Sequence, residues 1–238
     1  MVKRLTSLAQ SKMVQEMSEP VDTSKLDAAT LAKHLARPEG AVGKAVTANL
    51  NKSNAGGYSA ALEKLAIKDG DRVIEIGFGN GREIPRVLSQ AKNTSYFGVD
   101  VSDTMIIEAA EFNADFVRQK TVELVLGSSS AIPAPTGSFD KALALNTIYF
   151  WADPVVDLRE LRRALRLGGR LALGALVPRS AVGRAVFQHG FRLYEEIQIR
   201  QMLTDAGFSH VEIETINETV VPPTGQPWNR DYFVIIAE

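Results

Sequence analysis

The chain has 238 residues, which is enough for one full α/β domain with a small addition. Hydrophobic residues make up 45% and charged residues 23%, an ordinary composition for a globular protein. The formal net charge is -1, so the overall charge does not favour binding to nucleic acid or to an anionic membrane. A local basic groove remains an alternative. The absence of cysteine excludes disulfides and thiolate metal sites.

Segments for membrane insertion or export are not indicated. No apolar run approaches the roughly 20 residues that a transmembrane helix needs. Residues 1–20 contain Lys3 and Arg4 but no continuous apolar core, which argues against a secretion signal. The three histidines have no metal-ligand spacing. We therefore expect a soluble, cytoplasmic protein without a metal.

Residues 1–70 predict helices and no strands. Ser24 and Asp27 resemble a capping box, and residues 37–40 end the helix that follows. A second helix is indicated by apolar positions every four residues, and a third follows a polar break at residues 51–57. The apolar positions of these two helices are Val42, Val46 and Leu50, then Tyr58, Leu62 and Leu65.

A glycine-rich corner follows at residues 73–85. Val73 to Ile76 is a short apolar run that predicts a buried strand, and glycines then alternate up to the start of a helix near Arg82. Glycine lets the chain turn tightly and lets a ligand approach the backbone, so the corner predicts a cofactor site. Glu75 lies inside the apolar strand, where an unpaired carboxylate would be costly, and we expect it to have a partner.

The stretch from Glu75 to Gly81 resembles the first motif of class I S-adenosylmethionine-dependent methyltransferases of the type 11 group, acidic-x-Gly-x-Gly-x-Gly. A dinucleotide fingerprint would need glycine where Arg82 stands, and an ordinary tight turn of another α/β protein is the remaining alternative. The resemblance extends over roughly residues 70–176. It implies S-adenosylmethionine as cofactor, S-adenosylhomocysteine as product, and Glu75, Gly77, Gly79 and Gly81 in the cofactor site.

Asp100 corroborates this interpretation. It ends the second predicted strand, Ser95 to Asp100, and lies 19 residues beyond Gly81. An acidic residue about 20 positions on is placed to accept hydrogen bonds from ribose hydroxyls. The alternative role, capping the next helix, suits Ser102 or Asp103 better.

The adenine site is implied by resemblance. Val101 and Met105 would lie near the adenine, with core packing as the alternative for both. Residues 127–140 follow a third predicted strand and resemble a further family motif. Ser128 stands where many members carry an acidic residue that contacts the adenine, and the backbone of Ser129 could join it. The alternative is a serine-rich surface turn.

The fourth predicted strand ends at Asn146, a position that faces the reacting methyl group in the family. Aromatic residues near this end and in later segments could line an apolar or aromatic substrate pocket, or pack in the core. We assign to the pocket Tyr58, Tyr149, Phe150, Trp151, Phe187 and Trp228. A general base is not identified, and its weak candidates are Tyr149 and His189.

The later segments predict a helix beginning at Asp153 and Pro154 and ending at a glycine cap, Gly168 and Gly169. Its arginines favour a solvated helix face over a nucleic-acid patch. A fifth strand, a helix, two closing strands and a loop at residues 218–230 complete the chain.

Repeated βα units imply a parallel sheet with helices on both faces. The resemblance implies a Rossmann-like sheet of seven strands, order 3-2-1-4-5-7-6, with the last strand antiparallel. We divide the chain into an N-terminal helical lid, residues 1–70, and a methyltransferase domain, residues 71–238. The ends of parallel strands would gather the cofactor residues at one edge, with residues 177–194 and 218–230 beside them.

We expect a methyltransferase that acts on a small, apolar or aromatic molecule by in-line displacement. Two alternatives stay open: a non-catalytic or regulatory protein that binds the cofactor, and a nicotinamide-dependent oxidoreductase. No nucleic-acid partner is expected, and the oligomeric state is not indicated by the sequence.

Overall fold

A computed structural model describes residues 21–222 and 224–238. The apolar positions Leu5, Leu8, Val14 and Met17, which fall in the predicted helical region, lie outside the described residues. In the part that is described, no helix combines the length and the apolar character needed to cross a membrane.

A seven-stranded sheet with the order β3-β2-β1-β4-β5-β7-β6 forms the centre of the molecule. Strands β1 to β5 are parallel to one another, and β7 is antiparallel to both of its neighbours, β5 and β6. This confirms the predicted strand order and the predicted direction of the last strand. The strands are β1 (Arg72–Ile76), β2 (Ser95–Asp100), β3 (Val122–Leu126), β4 (Phe139–Leu145), β5 (Leu165–Leu176), β6 (Val211–Val220) and β7 (Trp228–Ala237).

The sheet is buried on both faces, which explains why its central strands are apolar almost throughout. Successive side chains of a strand point to opposite faces, so Ile74 packs in one core and Val73 in the other. In β5, Leu171 and Leu173 belong to the first core and Ala172 to the second. The helices are α1 (Ala28–Ala36), α2 (Gly40–Ser53), α3 (Ala55–Leu65), α4 (Ile84–Leu88), α5 (Asp103–Phe112), α6 (Ala114–Arg118), α7 (Pro154–Ala164) and α8 (Glu196–Asp205).

Helix caps explain several of the element boundaries. Ser102 caps α5 by accepting from the backbone N–H of Met105, and Asp153 caps α7, whose first residue is Pro154. The predicted capping box at Ser24 is wrong. Asp27 caps α1 instead, because its carboxylate accepts the N–H of Thr30 at 2.8 Å, while the Ser24 hydroxyl donates to Asp22 at 2.6 Å.

The predicted glycine cap at Gly168 is also wrong. Helix α7 ends at Ala164, and Leu165 already pairs with Phe139 at the start of β5. The register then jumps, so that Arg170 pairs with Lys141, and the extra residues of β5 bulge out of the ladder. Gly168 lies in that bulge with φ of 73°. Its left-handed backbone is the property that made it resemble a helix cap.

Three α-helices precede the sheet in the described part of residues 1–70, where the sequence predicts helices and no strands. The predicted polar break at residues 51–57 is shorter than expected, because α2 continues to Ser53 and α3 begins at Ala55. Helix α3 packs against the sheet, with Leu62 and Leu65 buried in the same core as Val73. Helices α1 and α2 instead cover the edge where the parallel strands end.

Candidate active site

A cavity of about 640 Å³ lies at the carboxyl ends of the parallel strands. This is the edge at which ligands bind in open α/β sheets, and the volume falls in the range of ligand pockets. Most of the site residues predicted from the sequence line it. They are Tyr58, Glu75, Gly77, Gly79, Asp100, Val101, Ser128, Ser129, Asn146, Tyr149, Phe150, Trp151, Phe187 and Trp228.

The glycine corner follows β1 and supplies backbone to the cavity. Gly77 and Gly79 line it with φ of 72° and 61°, a left-handed conformation that favours glycine. Gly81 has φ of 71° but does not line the cavity. A Cβ at Gly81 would approach Ala109 Cβ to 2.6 Å, so this glycine allows close packing between the corner and α5.

Asp100 lies at the end of β2 and faces the corner. One carboxylate oxygen accepts the N–H of Gly79 at 3.1 Å, and the other accepts the N–H of Ser102 at 2.9 Å. The side chain lines the cavity but is only 6% exposed, and burial raises its pKa to about 6. Asp100 is therefore ionised at neutral pH, with lone pairs left for a ligand.

Glu75 has the partners expected for a buried carboxylate. The hydroxyls of Tyr58 and Tyr96 both donate to Glu75 Oε2, each at 2.8 Å. Burial still raises the pKa of Glu75 to about 7, since the two hydrogen bonds offset only part of the desolvation cost. These bonds also connect α3, through Tyr58, to the first two strands.

The predicted adenine residues divide into two groups. Val101, Ser128 and Ser129 line the cavity, and the Ser129 hydroxyl donates to Asp157 of α7. Ser128 is exposed, and its hydroxyl lies 2.8 Å from that of Ser130. Met105 is fully buried and does not reach the cavity, which agrees with core packing, the alternative considered for it.

The end of β4 has a specialised backbone. Asn146 adopts φ of 59°, a left-handed conformation that asparagine tolerates better than most residues. Its side-chain oxygen accepts the Tyr149 hydroxyl at 3.3 Å, and that hydroxyl accepts the N–H of Leu176. Burial raises the pKa of Tyr149 far above its ordinary value, which opposes its use as a base at neutral pH.

Aromatic side chains form the half of the cavity away from Asp100. The Phe187 ring lies 5.0 Å from Phe191 and 5.8 Å from Trp228, and Phe150 lies 4.7 Å from Phe191. Trp151 is 6% exposed and also lines the cavity. His189 is exposed on the adjoining segment and does not line the cavity.

Several residues of the site were not assigned from the sequence. Two are arginines: Arg184 lies between two short 3-10 helices, Pro178–Ala181 and Ala185–Gln188, and Arg230 lies in β7. Neither has a local sequence pattern that would have identified it. Others include apolar or small side chains of α1, α2 and the segment after β5, such as Leu31, Leu35, Thr47, Leu50, Val186 and Phe191.

Contacts hold α1 and α2 over the cofactor corner. The Ser102 hydroxyl donates to the carbonyl of Pro38, and the N–H of Gly40 donates to the Thr104 hydroxyl at 3.1 Å. A Cβ added at Gly79 would lie 3.3 Å from the side chain of Thr47. The segment joining α1 to α2 is thus fixed directly beside Asp100.

Within residues 21–222 and 224–238, no group of three or more histidine, aspartate or glutamate side chains could hold a metal ion. The cavity lining includes the glycine backbone, the Asp100 carboxylate, two arginines and several aromatic rings.

Known proteins resemble this chain in sequence and in fold. A family model described as a methyltransferase domain matches residues 74–173. The chain is 31% identical to the uncharacterized methyltransferase YdaC of Bacillus subtilis (strain 168) over 159 residues, 66% of this chain and 81% of that protein. The chain belongs to the family of S-adenosylmethionine-dependent methyltransferases.

The chain is also similar to a second methyltransferase in sequence and to a third in structure. The chain is 24% identical over 170 residues to the tRNA U34 carboxymethyltransferase of Saccharophagus degradans, but it spans only 52% of that relative. A solved S-adenosylmethionine-dependent methyltransferase from Thermotoga maritima shares the fold, with a TM-score of 0.56 and 24% identity over 79% of this chain and 91% of its own.

Proposed function

We propose that this methyltransferase transfers a methyl group from S-adenosylmethionine to a small molecule with an apolar or aromatic body. The observation that carries the proposal is the division of one cavity into two chemically different halves. One half has the glycine corner and Asp100, and the other has Tyr149, Phe187 and Trp228.

The polar half fits the cofactor. Gly77 and Gly79 present backbone without a Cβ, as a tightly held nucleoside requires, and Asp100 has a carboxylate able to accept from two ribose hydroxyls. We assign the adenine to the exposed edge beside Val101 and Ser128. Asn146 would contact the part of S-adenosylmethionine near the reacting methyl group. Glu75 acts indirectly, by fixing Tyr58 and the strand that leads into the corner.

The chemistry needs little from the protein beyond positioning. When bound, S-adenosylmethionine supplies a methyl group activated by positive sulfur, and its leaving group is a neutral thioether. The residues that surround the cavity hold the acceptor in line and exclude water, and correct orientation alone can lower such a barrier by about 7–11 kcal/mol. Aromatic walls suit a flat or apolar acceptor body.

A protein base is not part of the proposal. Tyr149 is buried and uses its hydroxyl in structural hydrogen bonds, while His189 lies outside the cavity. An acceptor that ionises in solution, or a neutral amine, would need neither of them.

We further propose that α1 and α2 act as the lid over the bound cofactor. Leu31, Leu35 and Leu50 line the cavity, and the contacts of Pro38 and Gly40 to the start of α5 close it beside Asp100. Helix α3, within the predicted lid of residues 1–70, packs as a fixed part of the sheet layer. A cytoplasmic location stays a prediction.

Methyl transfer can be tested with S-adenosylmethionine carrying a deuterated methyl group. The protein is incubated with an ultrafiltered metabolite extract and, separately, with total tRNA, and products are found by the mass shift. We expect labelled small molecules and unlabelled tRNA. Labelled tRNA alone would replace the proposed acceptor class by the one named for the Saccharophagus relative.

A cofactor assay separates this proposal from the non-catalytic alternative. S-Adenosylhomocysteine should raise the thermal unfolding temperature, because it binds only the native state, and NAD should not. A rise with S-adenosylhomocysteine but no labelled product in either pool would favour a regulatory cofactor-binding protein.

A further inference from the structure

Arg184 is a cation that lines the cavity without a partner of opposite charge. Its guanidinium carbon lies 4.0 Å from the centre of the Trp228 ring, a cation-π contact. In the part of the chain that the structure describes, the Arg184 side chain makes no hydrogen bond and no ion pair. Burial lowers its pKa, and no nearby carboxylate offsets that cost.

The second arginine of the cavity provides the contrast. Arg230 is 7% exposed and forms an ion pair with Glu218 at 2.7 Å. It also donates to the carbonyl of Ser53 at 2.9 Å. Arg230 is thus neutralised and held by protein groups, whereas all the donors of Arg184 are left for something else.

The acidic side chains that line the cavity are already engaged with other groups. Glu75 accepts from two tyrosines, Asp100 from two backbone amides, and Asp157 from Ser129. Glu83 pairs with Arg86, and Asp153 caps α7. None of these carboxylates forms an ion pair with Arg184, and none of them raises its pKa, so we expect its counter-charge from a ligand.

The position of Arg184 in the fold indicates whether it would bind the cofactor or the methyl acceptor. Asp100 ends β2, and Arg184 lies on the segment that follows β5. In the order β2-β1-β4-β5 these two strands are three strand spacings apart, roughly 14 Å. Arg184 is next in the chain to the segment of Phe187, whose ring contacts Trp228. It belongs to the aromatic half of the cavity, away from the ribose end.

We propose that Arg184, stacked on Trp228, binds an anionic oxygen group of the methyl acceptor, a carboxylate or a phosphate, while the aromatic walls hold the acceptor body. The planar guanidinium can donate two parallel hydrogen bonds to either group. The inference rests on the proposed methyltransferase function and narrows its acceptor to anionic aromatic or apolar molecules.

The test uses three probes with the same naphthalene body and different charge: naphthoate, naphthyl phosphate and the neutral naphthamide. Each is titrated calorimetrically into protein saturated with S-adenosylhomocysteine. We expect at least one anionic probe to bind about tenfold or more tightly than naphthamide, as a hydrogen-bonded charge pair would give. Which anion binds better distinguishes a carboxylate from a phosphate acceptor.

Matched variants assign the preference to Arg184. Arg184→Gln should abolish it, and Arg184→Lys should keep part of it, since the charge remains but the planar fork is lost. Arg179→Gln is the control, because Arg179 lies on the same segment outside the cavity and pairs with Asp231 at 2.7 Å. This variant should keep the full preference, and thermal unfolding would establish that each variant folds.

Three results would overturn the assignment: no preference for an anion in the unmodified protein, including no binding of either anion; a preference that persists in Arg184→Gln; or a loss of S-adenosylhomocysteine affinity in Arg184→Gln. The last would assign Arg184 to the carboxylate of the cofactor. Failure of S-adenosylhomocysteine to bind the unmodified protein would instead refute the proposed function itself.

Discussion

The substitution Asp100→Ala tests the ribose assignment directly. The carboxylate is 6% exposed and lines the cavity beside Gly79, so a ligand hydroxyl there would bond to a charged acceptor shielded from water. Loss of such bonds costs about 1–3 kcal/mol, which corresponds to a roughly 5- to 150-fold weaker affinity for S-adenosylhomocysteine. Isothermal titration calorimetry measures this change.

A second ligand removes an ambiguity. Asp100→Ala also frees the N–H groups of Gly79 and Ser102, which the carboxylate accepts at 3.1 and 2.9 Å, and so loosens the corner itself. The analogue of S-adenosylhomocysteine that lacks both ribose hydroxyls should be weakened much less by the substitution than the parent ligand. Equal weakening of the two ligands would refute ribose binding and leave Asp100 with a structural role only.

The pKa of Asp100 adds a pH dependence with a definite sign. A ribose hydroxyl donates to the ionised carboxylate, and burial raises the pKa of Asp100 to about 6. Affinity for S-adenosylhomocysteine should therefore be constant well above pH 6 and fall towards about tenfold per pH unit below it. The decline should be absent in Asp100→Ala, and a decline that survives would assign the titration to another group, with Glu75 the nearest choice.

Three further predictions concern Glu75, Tyr149 and the lid. Burial raises the folded pKa of Glu75 to about 7 from 4.5, so the native carboxyl keeps a proton that the unfolded chain has released, and stability due to Glu75 is lost as pH rises between these values. Glu75→Gln should remove this loss, on the order of 3 kcal/mol, measured as the difference in urea unfolding between pH 5 and pH 8; the same slope in both proteins would contradict it. Tyr149→Phe leaves the buried N–H of Leu176 without its acceptor and should cost about 1–3 kcal/mol of stability while turnover stays within about tenfold; a hundredfold loss of turnover would identify Tyr149 as a base. Deletion of residues 1–37 removes α1 and should greatly reduce turnover while the free energy of unfolding changes little. Normal steady-state kinetics in the truncated protein would argue against a lid.

The polar half of the cavity could be predicted because the residues that form it are close together in the chain. A buried strand, a glycine turn and a helix start occupy about a dozen consecutive residues around Gly79, and Asp100 ends the next strand. The carboxyl ends of parallel strands meet at one edge, so placing two strands in sequence also places Gly79 and Asp100 together, where they form a hydrogen bond.

The errors occur where one residue type serves two structures. Gly168 was expected to end α7 because left-handed glycine commonly follows a helix, but the same conformation also forms a bulge in a strand. Pairing of Leu165 with Phe139 decides between them, and this tertiary contact is not visible in the local sequence. Gly81, which fits the cofactor motif, also packs closely against α5.

The aromatic half of the cavity could not be predicted from the sequence, because its contacts join residues that are far apart in the chain. Arg230 of β7 bonds to the carbonyl of Ser53, 177 residues away in the chain, and to Glu218 of β6. Neither residue carries a pattern that indicates the other. Phe191 likewise has no sequence pattern that assigns it to the site, although its ring contacts both Phe150 and Phe187.

The same remote contacts determine how the proposed lid is attached. The C-terminal end of α2 is held at Ser53 by the buried Arg230, whose ion pair with Glu218 is also shielded from water. The other end is held by two hydrogen bonds, from Ser102 to the carbonyl of Pro38 and from Gly40 to Thr104, and by an ion pair of Arg37 with Asp103 at 3.8 Å. That ion pair is exposed and therefore contributes little. If the lid opens, it should therefore open at the junction of α1 and α2, beside Asp100, and admit the cofactor there while the aromatic half keeps its walls.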